Sequence, residues 1–163
     1  MSAPTGYTRR QIALHWITFV LVVLQIVFHE GMAGAWETAV DTNTYAFSTP
    51  VILHFAVGTL ILGIALWRLL LRAEHGAPPA PEGEAKPLVL VSKLTHFGLY
   101  ALMILLPVSG AVAWGLQIEA PAEAHEVMKF LLIALVALHF IGAVYHRFVL
   151  KSGVMERMVR PVD

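Results

Sequence analysis

The 163-residue chain contains no cysteine, and only 13% of its residues are charged. Without thiols there can be no disulfides, thiolate zinc sites, iron–sulfur clusters or covalently attached haem. A soluble domain of this size carries about 25% charged residues. With 58% apolar residues, this chain cannot build a water-facing surface all round. The eleven basic and eleven acidic residues cancel, so there is no whole-chain attraction for nucleic acid. No Walker, Rossmann or EF-hand pattern occurs.

Long apolar runs take the place of charge. Four stretches reach the roughly 20 residues needed to cross a bilayer: about 11–28, 50–70, 94–114 and 127–148. Lys129 is the only lysine, aspartate or glutamate within them, while Arg68 and Arg147 lie near ends, where snorkelling costs little. The expected fold is all-α: one integral membrane four-helix bundle forming a single domain over 1–163. The run after Arg9–Arg10 lacks a nearby small-residue cleavage site and reads as the first membrane helix rather than a signal peptide.

The connectors orient the bundle. Connector 29–49 carries Glu30, Glu37 and Asp41, and connector 115–126 carries Glu119, Glu123 and Glu126; neither holds a lysine or arginine. Ten of the eleven basic residues fall on the side of the two termini. The positive-inside rule then makes both termini cytoplasmic. Connector 31–48, with Trp36, Tyr45 and Phe47, can lie along the interface as an amphipathic piece, and the Pro/Gly/Ala-rich stretch 73–87 reads as a linker.

Eight histidines are the anomaly in so apolar a chain. An ionisable group at membrane depth needs a partner, and is functional by default. Several histidines in a membrane bundle point to haem iron, which neutral imidazole binds well, and without cysteine the haem must be b-type. His125 and His139 are fourteen residues apart, about 21 Å along a helix and within about 40° of one face, the rungs of a two-haem ladder. His54 shares the outer end with His125. His15 is the partner left for His139, although His146 or His96 matches its depth at least as well. Gly58 and Gly142 follow His54 and His139 on the same faces, giving a flat macrocycle room. Arg9 and Arg10 suit haem propionates, and His96, with Lys93 and Tyr100 on one side of its helix, suits a propionate or a quinone. His146 reads as an interfacial residue, and His29 and His75 as connector residues.

The segments RRQIALHW, LHFAVG, KLTHFGLYALMILLPVSG, HEVMKFLLIALVALHF and YHRF together resemble the bacterial cytochrome b561 family from Tyr7 to Pro161. The resemblance implies a four-helix protein of the bacterial inner membrane with two b haems, exchanging electrons with the ubiquinone pool. One branch of that family oxidises superoxide to oxygen and reduces ubiquinone. The resemblance also assigns the axial ligands: His15 and His139 for the inner haem, His54 and His125 for the outer, with His96 not a ligand. Kinship with the cytochrome subunits of nickel–iron hydrogenases and formate dehydrogenases makes a haem-bearing anchor for a partner enzyme the alternative reading.

Overall fold

In the computed structural model, which describes residues 4–162, all regular structure among those residues is helical. Helix α1 spans Arg9–Val27, α2 His29–Thr42, α3 Thr49–His75, α4 Lys86–Leu116 and α5 Glu119–Tyr145. A π-helical turn, His146–Leu150, continues α5, and a 3₁₀ turn, Glu156–Met158, lies in the tail. Four helices are long and apolar enough to cross a membrane: α1, α3, α4, and α5 with its π turn.

The helix ends follow from local chemistry. Thr8 caps α1 in a reciprocal capping box, its Oγ1 accepting from Gln11 N (3.3 Å) while Gln11 Oε1 accepts from Thr8 N (3.0 Å). The Gln11 amide also donates to the Gly76 carbonyl (3.1 Å), pinning the start of α1 to the end of α3. Gly76, at φ +75°, ends α3 in an extended, positive-φ conformation that favours glycine. Pro50 and Pro87 sit in the first turns of α3 and α4, where a missing N–H leaves no bond unmade.

These caps make the helices longer than the apolar runs suggest. α3 continues to His75, so Arg68 lies two turns inside a helix rather than at its edge. The connector after α1 is not loose: it forms α2, too short and too charged to span a bilayer. The termini and the α3–α4 linker share one end of the bundle, called here the basic end. α2 and the α4–α5 turn share the other, the acidic end.

Packing is uneven. α4 packs along α5, α1 along α3 and α3 along α4, with α2 folded back on α3. α5 makes no comparable contact with α1 or α3. A central apolar cluster joins Val22, Ile61, Ala65, Leu102, Met103, Leu106 and Leu132. Large side chains such as Phe97 (73% exposed), Phe130 and Phe140 point outward, the inside-out surface a helix turns to lipid. At the acidic end α2 closes a second cluster of Ala39, Val51 and Trp114, around which Trp36, Tyr45, Phe47 and Phe55 stack on the Trp114 ring at 5.5–6.3 Å.

At the basic end the linker and the tail are clasped together. Glu84, 5% exposed at its side chain, lies 3.2 Å from His146 Nε2, and His146 Nδ1 is 2.8 Å from Ser152 Oγ. His146 therefore turns into a polar clasp at the bundle end.

Trp114 is the keystone of the α2 cluster. Truncating a buried Trp to Ala costs about 3–5 kcal/mol. Trp114→Ala should lower the unfolding midpoint in detergent well beyond the effect of replacing an outward-facing Phe97 by Ala, and should speed proteolysis of 29–48.

Candidate functional site

The space between α5 and the α1/α3 pair holds two histidine pairs. At the acidic end His54 of α3 faces His125 of α5, ring centres 6.2 Å apart. At the basic end His15 of α1 faces His139 of α5 at 6.0 Å. The contact between the two rings puts His15 and His139 at one depth of the bundle.

The spacing is a direct test of whether iron fits. An imidazole nitrogen lies about 2 Å from a bound metal and roughly another 1.2 Å from its ring centre, so two imidazoles across one iron stand about 6.4 Å apart. Both pairs fit. His96 also meets His139, but edge-on at 5.0 Å, too close to admit iron between them. His96 thus lines the basic-end pair from α4 and does not complete it.

Hydrogen bonds set the tautomers. His125 Nδ1 faces the Leu106 carbonyl (2.9 Å) and Ser109 Oγ (3.1 Å). A carbonyl only accepts, so Nδ1 carries the proton and Nε2 keeps the lone pair a metal needs. His96 Nδ1 donates likewise to the Ser92 carbonyl (2.7 Å). The His54 and His139 rings make no hydrogen bond among the described residues, only ring contacts. His15 differs: its Nδ1 accepts from Arg68 Nη2 (3.1 Å).

Small residues keep the slot open. A Cβ on Gly110 would stand 3.2 Å from the His125 ring, tighter than a side chain usually packs, so the glycine lets α4 approach that imidazole closely. Gly142 faces open space. Gly58 lies beside Gln25, whose amide donates to the His54 carbonyl (2.9 Å) and fixes that turn of α3. One turn beyond Gly110, the buried indole N–H of Trp114 has no partner among the described residues. Arg9 and Arg10 lie exposed at the start of α1 and Lys93 points outward; the arginine at the slot is Arg68.

Gln25, Ser109, Gly110 and Arg68 are the site residues that sequence reasoning did not single out. Ser109–Gly110, on the span that carries His96, is the nearest thing to a signal.

The prokaryotic cytochrome b561 family model matches residues 6–161. The chain is 34% identical over 161 residues to cytochrome b562 of Cereibacter sphaeroides, covering 99% of both chains. It is 25% identical to the probable superoxide oxidase CybB of Yersinia pestis (94% of this chain, 95% of that one). To cytochrome b561 homolog 2 of Escherichia coli it is 22% identical (97% and 93%). A membrane bundle with paired histidines and a match over nearly its whole length place this chain in the prokaryotic cytochrome b561 family, the membrane electron-transfer cytochromes that bind haem b.

Proposed function

We propose that this protein carries two b haems, one between His54 and His125 and one between His15 and His139, and passes electrons between them and a membrane quinone. The observation that carries the reading is the pair of ring-centre separations, 6.2 and 6.0 Å, in a slot that α5 leaves open against α1 and α3. Bound haem b supplies reversible one-electron chemistry at iron. The chain's own part is to hold each imidazole in the ligating orientation, through Leu106 and Ser109 at His125 and through Gln25 at the His54 backbone. Held by two imidazoles each, the haem irons would have no position for oxygen and would supply electron exchange alone.

The charge distribution favours a bacterial inner-membrane orientation with the basic end in the cytoplasm. At the acidic end Lys129 is paired with Glu126 (2.7 Å), among six carboxylates of α2 and the α4–α5 region. An anion such as superoxide is repelled there, so superoxide oxidation, suggested by the Yersinia relative's name, is the less favoured activity and a quinone the better partner. His96 lies against His139 with its Nε2 lone pair free to accept from a quinol hydroxyl, which makes the basic end the quinone side.

Haem extraction should return about two haems per chain with a low-spin bis-imidazole spectrum; one or none defeats the reading. His54→Ala and His125→Ala should each abolish one spectral component, and His15→Ala and His139→Ala the other. His146→Ala should retain both. For His96→Ala, full haem content with oxidation by a soluble ubiquinone analogue slowed about tenfold or more is expected. Full haem at an unchanged rate would move the quinone to the acidic end, and loss of haem would make His96 a structural support of the His139 site.

A further inference from the structure

The two ends of the slot differ in one buried charge. Arg68 sits two turns inside α3, half-buried, with Nη2 3.1 Å from His15 Nδ1 and its guanidinium 5.4 Å from the centre of the Tyr100 ring. Among the described residues no carboxylate lies within 4 Å of it; the ion pairs of the basic end are His75–Glu74, His146–Glu84 and Arg147–Glu156. A cation at that depth without a counter-charge is unfavourable and calls for an anion. Around His54 and His125 the side chains that hydrogen-bond to them, Gln25 and Ser109, are neutral, and Lys129 is tied to Glu126.

The tautomer of His15 adds a second constraint. Iron coordination through Nε2 requires the proton on Nδ1, and Nδ1–H cannot accept from Arg68. With haem held through Nε2, Arg68 would no longer donate to that nitrogen, and its guanidinium would be the group to hold a haem carboxylate, which it binds in a bidentate, charge-assisted way. Resting on Tyr100, the charge stays beside the basic-end pair.

We propose that Arg68 holds the reduction potential of the haem at His15–His139 above that of the haem at His54–His125, so that electrons run from the acidic end to the basic end. Reduction of iron from Fe(III) to Fe(II) removes one positive charge from the site, and a nearby fixed cation favours that change. The transfer balances: the iron held by His54 and His125 is oxidised to Fe(III) as that held by His15 and His139 is reduced to Fe(II), one electron crossing. The inference rests on the two-haem reading above and adds its direction.

Potentiometric titration followed at the haem absorption bands tests it. In the unaltered protein the higher-potential component should be the one lost in His15→Ala and kept in His54→Ala. Arg68→Gln should weaken reduction of that component about tenfold, which is 59 mV for a one-electron couple, and leave the other within about threefold. Arg68→Lys, which keeps the charge, should recover most of the shift. Two haems of equal or reversed potential overturn the proposal while leaving the two-haem reading intact, as does an Arg68→Gln protein with both potentials unmoved. Should Arg68→Gln lose the basic-end haem, the order of potentials in the unaltered protein decides alone. A count of one haem per chain overturns both.

Discussion

The structure depends on the spacing between α5 and the rest of the bundle. Transmembrane helices gain little from apolar burial, because lipid tails are as apolar as their partners, and they associate through close packing and polar contacts. α5 packs closely on α4 alone, yet it carries two histidines that face α1 and α3 across a gap about one iron wide. A bare slot at this depth would leave imidazoles with unsatisfied lone pairs in hydrocarbon, each an unfavourable burial. A flat, apolar, metal-centred ligand at each pair, as proposed above, would fill the slot and complete the two imidazole pairs separately.

Around that slot, α4 acts as the precise wall. Gly110 lets it approach the His125 ring, the carbonyl of Leu106 and the hydroxyl of Ser109 orient that ring, and His96 packs edge-on against His139. These contacts lie on one helix, so the two histidine sites share a rigid support. α3 contributes the asymmetry. It carries neutral His54 near one end and Arg68 near the other, separated by fourteen residues, about 21 Å of helix. Electron-transfer proteins tune their cofactors through ligands, hydrogen bonds and nearby charge; here both sites offer two imidazoles, while the hydrogen-bond partners of the rings and the nearby charge differ.

The two ends are closed by different means. At the acidic end α2 folds back and buries Trp114 under a cage of rings, where aromatic stacking and burial from water both contribute. At the basic end the seal is polar: Glu84 of the linker, His146 and Ser152 join the α3–α4 connection to the tail. Both seals lie beyond the slot, where backbone outside a helix can still be hydrated or bonded.

The four spans, the contrast in charge between the two ends and the fourteen-residue spacing of His125 and His139 were legible in the sequence because each is a property of one segment: run length, charge sign, or spacing along a single helix. His125 and His139 lie on one face whatever surrounds them, and their partners in α1 and α3 could be narrowed by depth. Depth alone left His15, His96 and His146 in competition, because it depends on where helices end, and the capping box at Thr8 and the π turn after Tyr145 are not visible in an apolar run. Which ring faces which at iron-binding distance is a property of three helices together. The same holds for Arg68: read from its span it is an edge charge free to snorkel, and only the continuation of α3 to His75 and the packing of α1 and α4 beside it turn that guanidinium onto His15 and Tyr100.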